Sequence, residues 1–244
     1  MKVITARSIA ALAIVVTMGV SIPAVAFAGS PPSPSASTTP SAKFVTAQKA
    51  LEVQLANRAT QLQHLVTDVT AATTLSASAS TTLQARLSAE ESSINALIAK
   101  VPTDNNRAEL NADRAAMLKD NRVYAVMSPQ VFEMIEASVV ASQVATLQTN
   151  EAVLQSEVSS IVGLPGYKNA LNHFDNYVKR LSNWSIRIVT VEGVVLAQTP
   201  QGFPGNTRFF VAENHDILDA NIALAYAGYD TSIIGLATGG YVGG

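Results

Sequence analysis

From Phe44 onward, apolar residues recur at steps of three and four, and this spacing predicts amphipathic helices. The first stripe steps by four, four, three, four and three residues, close to the a/d seam of a coiled coil. Its members are Leu51, Leu55, Ala59, Leu62, Val66 and Val69. The pattern fades near Thr73, and the Ser/Thr/Ala stretch at residues 76–82 predicts a turn.

A second helix is predicted to end at Pro102, because proline disfavours helical backbone at the residue before it. Thr103 and Asp104 are suitable N-caps for a restart. The apolar positions of these two segments are Leu83, Leu87, Ile94, Ile98 and Val101, then Leu110, Met117, Tyr124 and Met127.

Ser128 and Pro129 predict the start of the next helix, with a capping serine followed by proline at the first helical position. A long run follows and ends at residues 163–166, where Gly-Leu-Pro-Gly predicts a break. The stripe of this run consists of Val131, Ile135, Val140, Val144, Leu147, Leu154, Val158 and Ile161.

Another run starts at Tyr167 and stops at Thr199-Pro200. Its stripe consists of Tyr167, Leu171, Phe174, Val178, Leu181, Ile188, Val191 and Val195. The β-branched residues of 186–196 also allow a strand, but their place on a continuing stripe favours helix. After a loop at residues 201–206, a last helix is predicted over about 207–236, with a stripe of Phe210, Ile217, Ile222, Ala225, Tyr229 and Ile233.

Together these patterns predict an all-α fold, an elongated antiparallel bundle or set of coiled-coil hairpins with about five long helical segments. The bundle domain is expected to span residues 43–237, and the Gly-rich residues 238–244 are expected to form a flexible tail. Short breaks between long helices favour antiparallel neighbours.

The first 28 residues have the pattern of a secretory signal peptide. Lys2 and Arg7 precede an apolar run, and Ala26-Phe27-Ala28 is a small-x-small cleavage site. The run is about a dozen residues, whereas a membrane span needs about 20, so cleavage is favoured over an uncleaved anchor. Residues 29–42 are Pro, Ser, Thr, Ala and Gly, which predicts a disordered linker or tether.

The composition excludes several classes of function. The chain has no cysteine, which excludes disulfides, a thiol nucleophile and an acylated lipoprotein anchor. Without the signal peptide, 14 basic residues face 18 acidic ones, so the net charge moves from −2 to −4. A mildly acidic chain of this kind is not expected to bind nucleic acid.

The sequence predicts no catalytic, cofactor-binding or metal site. Of the three histidines, His64 shares a helix face with Asp68, but zinc requires three or four ligands. The closest carboxylates, Glu90 with Glu91 and Glu133 with Glu136, are interpreted as solvated helix faces. His173 and His215 are interpreted as exposed polar positions, and no cofactor is expected.

Two further motifs allow alternative interpretations. Asn183-Trp184-Ser185 matches a glycosylation sequon, but it lies inside a predicted helix, where Trp184 is expected to pack. The aromatic group near the Pro204-Gly205 turn is either a docking surface or a plug that closes one end of the bundle. This group consists of Phe203, Phe209 and Phe210.

Two segments carry a resemblance to a known group of proteins. They are residues 122–131, Arg-Val-Tyr-Ala-Val-Met-Ser-Pro-Gln-Val, and residues 197–206, with Ala-Gln-Thr-Pro and then Phe-Pro-Gly-Asn. With the Ala-rich helices, they resemble a group of uncharacterised secreted helical proteins of actinobacteria. The final helix departs from that group's basic pattern, since it carries Asp216, Asp219 and Asp230 and a single Arg208. The resemblance implies export and an all-α fold, and no activity.

The leading functional hypothesis is therefore a non-enzymatic exported protein that acts as a scaffold or interaction module at the cell envelope or surface. The expected location is secreted or extracytoplasmic, with non-covalent retention at the envelope as an option. Expected partners are envelope proteins or a second copy, through helical stripes. The alternatives are a bundle that carries or senses a small molecule between its helices, and an enzyme whose site the sequence does not reveal.

Overall fold

The computed structural model describes residues 41–239, and within this range the chain forms seven α-helices and no strand. The predicted all-α helical bundle is confirmed. The helices are α1 (Ala42–Ala71), α2 (Ala77–Lys100), α3 (Arg107–Lys119), α4 (Ser128–Thr149), α5 (Glu151–Ser160), α6 (Tyr167–Ala197) and α7 (Thr207–Gly239). The predicted signal peptide at residues 1–28, residues 29–40 of the predicted linker (29–42) and the last five residues of the predicted tail lie outside the described range.

Helices α6 and α7 form an antiparallel hairpin, and α1 and α2 form a second pair. His173 contacts Asp230, and Arg187 contacts Asp216. The residue numbers therefore rise along α6 as they fall along α7. Helix α4 packs against both members of the α6–α7 hairpin and also touches α1.

Two hydrophobic cores follow one another along the α6–α7 hairpin. The larger core joins α1 to α4 with the second half of α6 and the first half of α7, from Trp184 to Val195 and from Phe210 to Ala220. The smaller core joins α5 with the other halves of the hairpin. Its buried residues are Leu154, Val158, Ile161, Ala170, Phe174, Tyr177, Leu181, Ala227 and Ile234.

Helix α6 has one continuous buried seam, and the β-branched stretch at residues 186–196 is helical, as predicted. The buried residues step by four and three without interruption, as in a coiled coil. They are Ala170, Phe174, Tyr177, Leu181, Trp184, Ile188, Val191 and Val195. Three predicted members, Tyr167, Leu171 and Val178, lie at the edge of this seam and are half-buried.

The prediction of a turn at residues 76–82 is wrong, because α2 already begins at Ala77. Ser76 is its N-cap and accepts a hydrogen bond from the backbone of Ala79 at 3.2 Å. Thr81 and Thr82 donate their hydroxyl protons to carbonyl groups four residues earlier, both at 2.8 Å. Small hydroxyl residues are compatible with helix when they bond back in this way, so composition alone misplaced the turn.

The N-cap of α3 is Asn106 and not Thr103 or Asp104 as predicted. The side-chain oxygen of Asn106 accepts hydrogen bonds from the backbone of Ala108 and Glu109, each at 3.0 Å. Glu109 in turn accepts from the backbone N–H of Asn105 at 2.8 Å. This reciprocal pair resembles a capping box, which satisfies several free N–H groups at once.

The start of α4 also differs from the prediction. Residues Val123–Met127 form a π-helix that leads directly into α4. Ser128 therefore has helical backbone angles, with φ −63° and ψ −53°, and does not act as a capping residue. Tyr124, placed on the predicted stripe, is exposed because α3 ends at Lys119 and the stripe is interrupted there.

The long run after Val131 is divided at Asn150 into α4 and α5. Tyr177, fully buried on α6, donates its phenolic proton to the carbonyl of Leu147 at 2.5 Å, close to this division. The predicted break at residues 163–166 is confirmed. Gly163 and Gly166 have φ angles of 83° and 93°, which favour glycine.

The C-terminal end of α6 is anchored by side chains of two other helices. Gln130 on α4 is fully buried, and its Nε2 donates to the carbonyl groups of Val195 at 2.8 Å and Gln198 at 3.0 Å. Arg86 on α2 donates to the carbonyl of Gln198 at 3.1 Å. Because the last carbonyl groups of a helix lack partners within it, these donors hold α6 in place.

Candidate functional site

Helix α7 is apolar on two opposite sides, and one of them faces the bundle. We call its buried positions the inner seam, and they contact α4, α5 and α6. The inner seam consists of Phe210, Ile217, Ala220, Ala227, Asp230 and Ile234. The predicted core stripe of this helix is wrong from Ile222 onward, because Ile222, Ala225 and Tyr229 are exposed and Ile233 is half-buried.

The opposite side of α7 carries a second heptad pattern, which we call the outer seam. Its steps of four and three continue over eight positions, and every one of them is exposed. The outer seam consists of Val211, His215, Leu218, Ile222, Ala225, Tyr229, Ser232 and Leu236. Leu218 has a relative exposure of 55% and Leu236 of 74%, so these large apolar side chains lie mostly in solvent. An apolar side with heptad spacing is typical of a helix that packs against another helix.

The most connected polar group lies on the inner seam, between α6 and α7. Asp230 is buried, with Nδ1 of His173 2.7 Å from Oδ1 and Nε of Arg180 3.3 Å from Oδ2. The guanidinium of Arg180 lies over the ring of Tyr226, and the ring of His173 meets that of Tyr229 edge-on. The buried carboxylate is therefore held by two donors from the neighbouring helix.

This network was missed in the sequence, where His173 was interpreted as an exposed polar position. The partner Asp230 is 57 residues away along the chain, and only the pairing of α6 with α7 brings the two together. The sequence did contain one signal of this network, because Asp230 keeps heptad spacing with the apolar residues Ala227 and Ile234. A carboxylate at a core position requires a partner, and an arginine or histidine on the facing helix is the natural choice.

The carboxylate pair at Glu133 and Glu136 is not a solvated helix face, contrary to the prediction. Glu133 is 8% exposed, on α4, which packs against α6 and α7. Burial is the main cause that raises the pKa of Glu133 to about 8, and the negative charges of Glu136 and Glu213 add to it. Glu133 is therefore a carboxylic acid that is largely protonated at neutral pH.

A similar but weaker effect acts on α2. Burial, together with the charge of Asp120, raises the pKa of Glu90 to about 7. At the α2–α3 junction, Asp113 is buried and bonded to Lys100. Burial and the neighbouring Asp113 raise the pKa of Asp104, which lies in the connection between the two helices. Glu90, Asp104 and Asp113 are therefore carboxyl groups that are buried or half-buried.

The other sequence candidates do not come together. His64 and His215 are exposed on α1 and α7. In the range 41–239, no three side chains of His, Asp and Glu are grouped so that they could hold a metal ion. A pocket of about 120 Å³ lies beside α1 and is lined by Ala47, Ala50, Leu51, Gln54 and Arg114. It is smaller than the ~300–1,000 Å³ typical of small-molecule sites.

The aromatic candidates belong mainly to the core. Trp184 is buried in the α6 seam, as expected of a packing residue, and the sequon residue Asn183 is exposed in mid-helix. Phe210 is buried, and Phe203 packs against the larger core beneath the guanidinium of Arg122 at 4.1 Å. The plug interpretation therefore describes Phe203 and Phe210 better than the docking interpretation does.

No family model, curated protein or solved structure matches the chain. No helix among the described residues combines the length and apolarity needed to cross a membrane.

Proposed function

We propose that this protein is a non-enzymatic, exported helical protein that acts as a scaffold or interaction module at the cell envelope or surface. The observation that carries the proposal is the outer seam of α7. Large side chains such as Leu218, Ile222 and Leu236 are exposed there along one side of a single helix. Isolated exposed apolar residues are ordinary on protein surfaces, but a stripe of eight positions of which six are apolar or aromatic is typical of an interaction site.

The polar groups of the bundle support the same proposal. The histidine and arginine around Asp230 bond across a helix interface, and Gln130 is used to anchor the end of α6. Such buried polar contacts define which helices pair and in which register, which is what a scaffold needs. The signal-peptide pattern of residues 1–28 supports export, and the resemblance to secreted helical proteins is consistent with it.

The experiment uses the full chain in cells that export it. A photoreactive amino acid is placed at Leu218 or Ile222, with Val53 on α1 as a matched exposed control. We expect covalent adducts in the envelope fraction from the two outer-seam positions and none above background from Val53. Equal adduct yields at all three positions, or none at Leu218 and Ile222, would overturn the proposal.

Export is tested on the same material. The N-terminal residue of the protein recovered outside the cytoplasm should be Gly29, the residue after the predicted cleavage site. Recovery of the chain in the cytoplasm with Met1 intact would contradict the proposed location and leave the interaction surface without an envelope role.

A further inference from the structure

We infer that the occupant of the outer seam is a second copy of this chain, paired through α7 in antiparallel orientation. This inference rests on the proposed function and names the partner. The outer seam alternates between a positions, occupied by His215, Ile222, Tyr229 and Leu236, and d positions, occupied by Val211, Leu218, Ala225 and Ser232. In an antiparallel coiled coil, each a residue of one helix packs against a d residue of the other.

The seam is self-complementary in this orientation. Two antiparallel copies of α7 can be aligned so that the point between residues 223 and 224 of one chain faces the same point of the other. In this register, every a residue of one chain meets a d residue of its partner. The layers are Ile222 with Ala225, Leu218 with Tyr229, His215 with Ser232 and Val211 with Leu236. Each layer then appears twice by two-fold symmetry, which closes the assembly at two chains.

Side-chain size favours antiparallel over parallel pairing. In the antiparallel register, the large Ile222 lies opposite the small Ala225, and His215 lies opposite Ser232. A parallel pair in register would instead place each residue opposite its own copy. It would bring two His215 side chains together in one layer and leave two Ala225 side chains facing each other across a gap.

The charges beside the seam are compatible with this pairing. On one side the flanking g positions are Asn214, Asn221, Gly228 and Gly235, none of them charged. On the other side, the flanking e positions contain one charge, Asp219, which lies opposite Tyr226 of the second copy in the same register. No like charges face each other, and the two helix dipoles oppose one another favourably.

The size of the outer seam and its flanking positions determines how tightly the two chains are expected to bind. Four heptads present sixteen a, d, e and g positions per chain, fewer than the ~20–30 residues per side of a standard stable interface. We therefore expect a reversible dimer with a dissociation constant of the order of micromolar.

The first experiment measures the molar mass of the purified chain from Gly29 onward by sedimentation over a wide concentration range. We expect a monomer–dimer equilibrium that Ile222→Asp weakens at least ~100-fold, since it places a charge in both central layers. Ala225→Glu is a second variant with the same expected effect. The matched control is Ile186→Asp, on the exposed side of α6, which should leave the equilibrium unchanged. Circular dichroism verifies that each variant is folded.

The second experiment tests orientation and uses the absence of cysteine in the chain. Chains carrying V211C and chains carrying L236C are mixed and oxidised. Antiparallel pairing predicts disulfides between the two kinds of chain, whereas parallel pairing predicts disulfides within each kind.

Three results would overturn the inference: a monomer at all concentrations, a dimer insensitive to Ile222→Asp and Ala225→Glu, or disulfides only within each kind of chain. If the purified chain is monomeric but Leu218 still gives envelope adducts, the proposed function stands with a different partner. If the purified chain is monomeric and Leu218 gives no envelope adducts, the inference and the proposed function both fail.

Discussion

Nδ1 of His173 lies 2.7 Å from Oδ1 of Asp230, so an imidazole on α6 is bonded to a carboxylate buried on α7. Arg180 contacts the other oxygen of the same carboxylate at 3.3 Å. Asp230 stands at a core position of the inner seam, between Ala227 and Ile234. A polar residue at such a position favours the one register in which its partners are in reach, at some cost in stability.

Replacing Asp230 by alanine should lower the free energy of unfolding by about 2–4 kcal/mol, because His173 and Arg180 lose their shared acceptor within the interface. Urea unfolding at neutral pH measures the change. Asp219→Ala, which removes an exposed carboxylate from the same helix, should change stability by less than about 0.5 kcal/mol. Equal effects of the two variants would show that the Asp230 contacts do not stabilise the hairpin.

Gln130 provides a second test of how the bundle is joined. Gln130→Leu keeps a side chain of similar size but removes the Nε2 donor shared by the carbonyl groups of Val195 and Gln198. We expect a loss of about 1–3 kcal/mol, since the end of α6 loses a buried hydrogen-bond donor. Thermal unfolding measures it, with the exposed Gln143→Leu on the same helix as control. A Gln130→Leu variant as stable as the control would mean that the amide contributes no net stability.

The helices with a single apolar side were predictable from the sequence, and the helix with two was not. On α6 the buried residues repeat by four and three, and the polar residues lie elsewhere. On α7 the inner and outer seams are both apolar, so periodicity alone could not tell which side is buried, and Ile222 and Tyr229 were wrongly placed in the core. Tertiary packing against α4 and α6 decides between the two sides.

The ends of the helices and the burial of polar groups were even harder to predict from the sequence. Ser128, a good capping residue by type, lies within continuous helical backbone because a π-helix precedes it. Glu133 was interpreted as part of a solvated helix face. It is buried, and the charge of Glu213 on α7, 80 residues further along the chain, acts on it. Contacts this distant leave no local pattern for the sequence to reveal.

The burial of Glu133 predicts that the protein becomes less stable as the pH rises. Its pKa is about 8 in the folded chain against an ordinary 4.5, so the folded state binds more protons between these values. The stabilisation is fully present below about pH 4.5 and is lost as the pH rises through 8. The difference between these two pKa values corresponds to an upper limit of about 5 kcal/mol in the free energy of unfolding.

Glu133→Gln should remove the part of this pH dependence that comes from Glu133, because the amide stays neutral. Urea unfolding at pH 5 and pH 9 should show the variant gaining stability relative to the unmodified chain as the pH rises. Burial also raises the pKa values of Glu90, Glu136, Glu192 and Glu213, so a smaller slope of the same sign should remain. Asp175→Asn, at an exposed position of α6, serves as the control. An unchanged slope in Glu133→Gln would contradict the assignment.

Two glycines next to and within α6 should respond to alanine in opposite directions. Gly166 precedes the helix with φ 93°, a conformation that costs an alanine about 1 kcal/mol or more, although the nearest atom to an added Cβ is 4.0 Å away. Gly193 lies in the interior of the helix, and an added Cβ would meet nothing within 4 Å. Gly193→Ala should therefore stabilise the chain by about 0.5–1 kcal/mol, because alanine restricts the unfolded chain and favours helix. Thermal unfolding should move the midpoint down for Gly166→Ala and up for Gly193→Ala. A rise of the midpoint for Gly166→Ala would contradict the cost assigned to the positive φ at residue 166, and a fall for Gly193→Ala would contradict the gain expected in the helix interior.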